Sequence, residues 1–198
     1  MIRDMLFADD AGIATHTEEE LQHLMDRLSM ACKEFCLIIS LPKTKILSQG
    51  SSVKPSIRID NYELGVVEDF PYLGSSISES LSLDSEINKR IGKAAGTLSK
   101  LTDRVWENST LKVSTKMSVY SACILSTLLY GSETWTPYAR QEERLQIFHL
   151  RNLRFILGIK WEERKTNVEV LEIAGLPSIY TLLRQRQTKM ARSCPQNG

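Results

Sequence analysis

The sequence predicts an α+β protein with a strand-rich first part and a helical second part. In residues 1–80, short apolar runs alternate with turn-forming residues, as where Met5-Leu6-Phe7 precedes Ala8-Asp9-Asp10, a pattern typical of β-hairpins. From Leu83 onward, apolar residues recur at helical spacing. We therefore expect a strand-rich domain over residues 1–80, a helical bundle over residues 81–192 and an irregular tail over residues 193–198.

The first part begins with a predicted hairpin over residues 5–14 and an amphipathic helix over residues 18–35. Thr17 is the expected N-cap of this helix, and Glu20, three residues later, would complete a capping box. Further strands are expected at residues 37–40, in a hairpin of residues 57–59 and 64–67, and at residues 70–77, which contain Gly74.

Three apolar stripes predict the main helices of the second part. The first is Ile87, Ile91, Ala94, Leu98 and Leu101; the second is Val113, Met117, Tyr120, Ile124 and Leu128; the third contains Leu145, Phe148, Phe155 and Ile156. A short helix over residues 168–174 should end at Gly175, and Pro177 could open a last helix.

The composition of the 198 residues is that of a folded chain with reduced cysteines. Hydrophobic residues make up 42% and charged residues 25%, so a buried core is available and wholesale disorder is excluded. No apolar run approaches the roughly 18 residues of a membrane span, and we expect no membrane partner. Four cysteines without regular spacing favour free thiols and an intracellular location, nuclear or cytoplasmic.

The net charge of +1 conceals an uneven distribution. Residues 1–80 carry seven Lys and Arg against thirteen Asp and Glu, a net charge of −6, whereas residues 81–198 carry eighteen against eleven, a net charge of +7. An acidic half and a basic half would suit cation binding in one and phosphate contacts in the other. The alternative is ordinary surface charge that is unevenly spread.

Asp9 and Asp10 are adjacent carboxylates at or beside the predicted hairpin turn. Like charges at this range repel each other, and a divalent cation removes that cost. Mg²⁺ takes hard oxygen ligands, and its shell can be completed by one or two carboxylates, waters and substrate phosphates. The alternative is a solvated turn, a position that Asp favours in any case.

Six segments, in order along the chain, carry a family resemblance. They are residues 6–10 (Leu-Phe-Ala-Asp-Asp), 43–45 (Lys-Thr-Lys), 70–75 (Phe-Pro-Tyr-Leu-Gly-Ser), 86–91 (Glu-Ile-Asn-Lys-Arg-Ile), 128–135 (Leu-Leu-Tyr-Gly-Ser-Glu-Thr-Trp) and 154–161 (Arg-Phe-Ile-Leu-Gly-Ile-Lys-Trp). Together they resemble the reverse transcriptases of non-LTR (LINE-type) retrotransposons, with most likeness to the RTE/BovB-like branch. The resemblance implies a partial polymerase palm (β-hairpin, helix and short strands) followed by an α-helical thumb bundle.

The resemblance also implies roles in RNA-directed DNA polymerisation for four residues of the first part. Asp9 would coordinate both catalytic Mg²⁺ ions of a two-metal site, with Asp10 as its weaker partner. Lys43 or Lys45 would lie near the phosphates of the incoming deoxynucleotide, as a general acid or a stabiliser of charge. The alternative for both lysines is that of solvated loop cations.

Further residues are candidates for contact with an RNA template and a DNA primer. Tyr72, Leu73 and Gly74 resemble the primer-grip strand, although a plain buried strand is an equal interpretation of Tyr72 and Leu73. Arg151 and Arg154 lie among the basic residues of the helical part, which can follow phosphates without reading sequence. The alternative interpretation is that both arginines pair with glutamates on a solvated surface.

Several side chains of types that are often functional are expected to have structural roles. Trp135 and Trp161 are expected to be core aromatics rather than platforms for base stacking. His16, His23 and His149 lack the spacing of metal ligands and are expected to be structural. Cys32 and Cys36 lie one helical turn apart, where core packing is expected rather than metal binding.

In the family, nucleotide-binding fingers and a further catalytic Asp precede the Ala-Asp-Asp box, which here begins at Ala8. We therefore expect the chain to be a palm-to-thumb fragment that does not extend a primer alone, because a two-metal site needs a carboxylate on a neighbouring strand. The alternatives are a non-catalytic nucleic-acid-binding module and a non-functional globular remnant. A salt-dependent RNA-binding titration separates these two.

Overall fold

The computed structural model describes residues 3–50 and 53–193 of the chain. The structure divides into two compact units, residues 1–82 and residues 83–198. In their described residues, the first unit contains small two-stranded sheets and one long helix, and the second unit is helical. The protein is therefore of mixed α+β class, as the hydrophobic patterns predict.

The first unit opens with the predicted hairpin. Strand β1 (Arg3–Phe7) pairs antiparallel with β2 (Asp10–Ala14), and the ladder ends where Phe7 pairs with Asp10. Only two residues connect the strands, the loop length that most often joins antiparallel neighbours. The turn therefore holds the adjacent acidic residues at one end of the hairpin.

Helix α1 (Glu18–Glu34) follows and begins at the predicted cap. The side-chain oxygen of Thr17 accepts a hydrogen bond from the backbone N–H of Glu20 at 3.2 Å. The other half of the capping box differs from the prediction, because the Glu20 carboxylate accepts from the backbone N–H of His16 at 3.4 Å. Both bonds satisfy donors at the entry to the helix.

The remaining strands of the unit are short and pair two by two. Strand β3 (Lys45–Ile46) lies parallel to β6 (Gly65–Val66), β4 (Arg58–Ile59) antiparallel to β5 (Tyr62–Glu63), and β7 (Asp69–Tyr72) antiparallel to β8 (Ser75–Ser78). The hairpin predicted around residue 60 is confirmed, but its second strand is β5, because β6 pairs with β3 instead.

Two predicted strands of the first unit are wrong. Residues 37–40 form no strand: the backbone N–H of Leu37 bonds to the carbonyl of Cys32 at 2.7 Å and closes the end of α1, and Ile38 is left 96% exposed. Residues 70–77 form a hairpin instead of one strand. The chain reverses at Leu73 and Gly74, whose φ angles are 47° and 81°.

A small core joins α1 to the strands. Its buried apolar side chains are Met25, Ile46, Ile57, Ile59 and Leu64. The side chain of Gln22 fastens α1 to β4, because it donates to the carbonyl of Arg58 and accepts from the N–H of the same residue, both at 2.8 Å. This pair of bonds replaces a neighbouring strand at the edge of β4.

The second unit consists of helices joined by short turns. They are α2 (Asp84–Lys100), a π-helical turn (Thr102–Trp106), α3 (Val113–Val119), a second π-helical turn (Tyr120–Leu125), α4 (Ser126–Leu128), α5 (Ala139–Leu157), α6 (Asn167–Ala174) and α7 (Ile179–Ser193). Gly175 ends α6 with φ 64°, as predicted. No helix in the described part of the chain is both long and apolar enough to cross a membrane.

The predicted stripes form the core of this unit, with two exceptions. The fully buried members include Ile87, Ala94, Tyr120, Ile124, Leu128 and Leu145. Val113 and Phe155 are wrong as core predictions, since they are 48% and 49% exposed. Val113 opens α3, where a first-turn residue has few neighbours, and Phe155 lies on the outer side of α5.

A polar pair lies inside this core. The Tyr120 hydroxyl is 3.1 Å from Nδ1 of His149, and both side chains are fully buried. Burial lowers the pKa of His149 to about 4. Burial also raises the pKa of the Tyr120 phenol. Both groups are therefore neutral at pH 7, and the structural role predicted for His149 fits its position.

Candidate functional site

The β1–β2 turn presents Asp9 and Asp10 to solvent. Ala8 and Asp9 form the connection, with Ala8 at φ 52°, and Asp10 begins β2 opposite Phe7. Both carboxylates are exposed, and so is the ring of Phe7, at 63%. The strand register therefore places both residues at the end of the hairpin, Asp9 in the turn and Asp10 as the first residue of β2.

The chemistry of this donor set suits a hard divalent cation. Neither Asp9 nor Asp10 forms a salt bridge with a cation whose side chain the structure describes. Two carboxylates can hold a Mg²⁺ ion that keeps several waters and takes phosphate oxygens. Within residues 3–50 and 53–193, no group of three or more His, Cys, Asp or Glu side chains could hold a metal ion.

Tyr72 is attached to this same hairpin. Its hydroxyl donates a hydrogen bond to the backbone carbonyl of Met5 in β1 at 2.9 Å. Its ring lies over Gly12 of β2, where an added Cβ would be 3.4 Å from the ring. The resemblance to a primer-grip strand does not predict this contact, because residues 67 positions apart share no local sequence pattern.

Leu73 and Gly74 do not continue a strand. They form the turn between β7 and β8, and Leu73 is 38% exposed, so the buried-strand interpretation of Leu73 is wrong. The conformation explains why glycine suits position 74, since φ 81° is costly for residues with a Cβ. Tyr72 is brought to the acidic hairpin by its hydrogen bond to Met5.

The two candidate lysines have different surroundings. Lys43 is exposed in the turn before β3. Lys45 begins β3, and its side chain runs across Gly65 on β6, with Nζ 3.1 Å from where a Cβ would stand. β3 pairs with β6 and not with the acidic hairpin. A phosphate role for either lysine stays a prediction.

Arg151 and Arg154 differ in how free their guanidinium groups are. Arg151 is exposed on α5 and makes no ion pair with a described side chain. Arg154 donates to Oδ1 of Asn167 at 2.7 Å and to the carbonyl of Lys165 at 3.4 Å, and so ties α5 to the start of α6. Neither pairs with the glutamates that the surface interpretation expects. Arg151 is therefore the one with its donors available.

Segment 128–135 anchors the last helix. Glu133 pairs with Arg186 of α7 at 3.1 Å, and the Arg186 guanidinium also donates to the carbonyl of Leu129 at 2.7 Å. The carbonyl of Trp135 accepts from Gln187 at 2.9 Å. Trp135 is 5% exposed, which confirms it as a core aromatic.

Trp161 corrects the other tryptophan prediction. It is 83% exposed in the 3₁₀ turn Trp161–Glu163 and is not a core residue. The physical reason is that Gly158 ends α5 with φ 67°, which turns the chain away from the helix before Trp161 is reached. Whether a tryptophan here is buried depends on the direction in which the chain leaves α5, and the hydrophobicity of the side chain does not reveal that direction.

Comparison with known proteins finds two distant relatives. The chain is 26% identical over 175 residues to an uncharacterized transposon-derived protein of Caenorhabditis elegans, which covers 83% of this chain and 60% of that protein. It is 24% identical over 173 residues to a protein of Drosophila melanogaster described as a probable RNA-directed DNA polymerase from transposon BS, which covers 82% of this chain and 19% of that protein. These likenesses support a retrotransposon origin.

The similarity to known proteins is low in identity and covers only part of each relative. No family model and no solved structure matches the chain. The chain spans about three fifths of the worm relative and about a fifth of the fly relative. An activity of either whole protein can therefore only be proposed for this chain.

Proposed function

We propose that this chain is part of a retrotransposon-encoded RNA-directed DNA polymerase, with the β1–β2 turn as its metal-binding element. The observation that carries the proposal is the exposed pair Asp9, in a two-residue turn, and Asp10, directly after it, in a chain similar to a described transposon polymerase. The finer assignment, to the palm and thumb of a LINE-type element of the RTE/BovB-like branch, rests on the six ordered segments of the sequence.

In this proposal the first unit binds the metal and the phosphates. Asp9 and Asp10 hold Mg²⁺, which when bound activates the attacking 3′-hydroxyl and stabilises charge on the leaving pyrophosphate. Tyr72 holds the hairpin through the Met5 carbonyl and keeps β1 against the β7–β8 turn. Lys43 or Lys45 neutralises phosphates of the deoxynucleotide. The RNA template and DNA primer are the macromolecular partners.

Manganese binding by the full chain tests the metal assignment. Free Mn²⁺, measured by electron paramagnetic resonance, should fall as the chain is added, and a deoxynucleotide should tighten binding because its phosphates complete the shell. The double variant Asp9→Asn, Asp10→Asn should lose at least about tenfold in Mn²⁺ affinity. Asp103→Asn, Glu107→Gln, which neutralises two exposed carboxylates of the second unit, is the matched control and should leave binding unchanged.

A second measurement separates the proposal from its alternative. Anisotropy of a labelled RNA–DNA hybrid reports nucleic-acid binding by the same proteins. Hybrid binding together with Asp9- and Asp10-dependent Mn²⁺ binding supports the polymerase assignment. Hybrid binding without a Mn²⁺ site favours a non-catalytic nucleic-acid-binding protein. Failure to bind the hybrid at all contradicts both functions.

A further inference from the structure

The last helix, α7, carries an unusual charge distribution. Residues 179–193 include Arg184, Arg186, Lys189 and Arg192 and no acidic residue. The inner side of the helix is apolar, with Ile179 and Leu183 fully buried in the core of the second unit. The surroundings of each cation therefore depend on its position around the helix.

One cation is used internally and the others face solvent. Arg186 is half-buried and committed to Glu133 and to the carbonyl of Leu129. Arg184 and Arg192 are exposed, and neither forms an ion pair with a described side chain. They are eight residues apart, so about 12 Å separates them along the helix axis. Two free guanidinium groups thus stand in one row on the outer side.

Polar and aromatic side chains complete this outer row. Tyr180 precedes Arg184 by one turn, Thr188 lies between the two arginines, and Gln185 borders the row; with Arg184 and Arg192 they line one shallow surface depression. Tyrosine hydroxyl, amide and guanidinium groups are donors that contact phosphate oxygens in nucleic-acid complexes, whereas the Thr188 hydroxyl already donates to the carbonyl of Arg184 at 2.8 Å. We call the set Tyr180, Arg184, Gln185, Thr188 and Arg192 the outer row of α7.

We propose that the outer row of α7 binds the phosphate backbone of the template–primer duplex, an inference that rests on the proposed function and assigns it a surface. Positive charge without a neutralising acid on the same helix complements a polyanion. A bilayer surface fits less well, because a helix that binds in the interface inserts its apolar side. The apolar side of α7 is already buried against α5 and the turn Ser132–Thr134.

A salt titration of the full chain on a labelled RNA–DNA hybrid tests this surface. Each phosphate contact adds roughly −0.9 to the slope of log K against log salt on duplex DNA, and a hybrid should be of that order. The variant Arg184→Glu, Arg192→Glu should therefore reduce the slope by about two contacts and weaken binding at low salt. The control Arg27→Glu, Lys54→Glu makes the same change in charge at exposed positions of the first unit.

The possible outcomes distinguish a failure of the outer-row proposal from a failure of the proposed function. Loss of slope in the α7 variant alone, with an unchanged melting temperature, supports the outer row. Equal slopes in the parent, the α7 variant and the control overturn the outer row and leave the proposed function standing. A parent that binds no hybrid overturns both. In that case, binding of the parent but not of the α7 variant to vesicles of phosphatidylserine and phosphatidylcholine would assign Arg184 and Arg192 to an anionic membrane surface instead.

Discussion

His149 shows at the scale of one residue how burial sets chemistry. Its ring is fully buried, with Nδ1 at 3.1 Å from the Tyr120 hydroxyl, and burial holds its pKa at about 4. In the unfolded chain the same side chain would have the usual pKa of about 6.5. The folded protein therefore binds fewer protons than the unfolded protein between these two values.

This difference predicts a loss of stability in acid. As the pH falls from 7 to 4, the unfolded state gains a proton at His149 that the folded state resists, so the free energy of unfolding should fall by about 3 kcal/mol. Thermal melts between pH 7 and pH 4 measure the effect. His149→Gln should flatten the pH dependence, whereas His16→Gln, at an exposed position, should not. Equal slopes in all three proteins would contradict the assignment.

Arg154 and Arg151 show that equal charge does not mean equal availability. The two lie three residues apart on α5, but Arg154 donates to Asn167 and the carbonyl of Lys165, and Arg151 has no such partner among the described side chains. Substitution of Arg154 therefore removes bonds that hold the start of α6. Any change in nucleic-acid binding by an Arg154 variant must be compared with its change in stability.

At the scale of an element, α6 depends on the residue that ends it. Gly175 has φ 64°, and its N–H bonds to the carbonyls of Glu172 and Leu171. An added Cβ at Gly175 would meet no atom within 4 Å. The cost of a side chain there is therefore conformational and not steric.

Two glycine substitutions should have opposite signs. Gly175→Ala should destabilise the protein by about 1 kcal/mol, since an L-residue resists this left-handed conformation. Gly92→Ala, inside α2 with open space around its Cβ position, should stabilise it by up to about 1 kcal/mol. Urea unfolding at constant m-value measures both. The same sign for both substitutions would contradict the cap assignment.

At the scale of the whole molecule, the two units differ in how much apolar surface they bury. Among the described residues, the core of the first unit has five buried apolar side chains and that of the second has eighteen. The strands of the first unit are also short, and its four sheets have two strands each. Small sheets of this kind contribute little independent stability.

Hydrogen exchange should therefore separate the two units. We expect backbone amides of the strands in the first unit to exchange roughly tenfold faster, or more, than those of α2 and α5, after correction for intrinsic rates. Exchange followed by mass spectrometry at two pH values measures this and verifies that opening is at equilibrium. Uniform protection across both units would mean that the small core is more stable than its size implies.

Much of this architecture follows from the sequence alone. The 3.6-residue periodicity, Thr17 and Gly175 locate helices because caps and apolar stripes act within a few residues of each other along the chain. The β1–β2 hairpin follows in the same way from apolar runs on either side of an acidic turn. The adjacency of Asp9 and Asp10 at that turn is thus a local property, and their metal-binding role stays a prediction.

Tertiary packing alone decided which residues of one type are buried, free or engaged. Trp135 is buried beneath α7, where its carbonyl meets Gln187, 52 residues further along, while Trp161 is exposed. Tyr72 reaches Met5 across 67 positions. The physical reason is that periodicity records only the near neighbours of a residue. Burial and hydrogen bonding depend on which distant segment fills the space beside it.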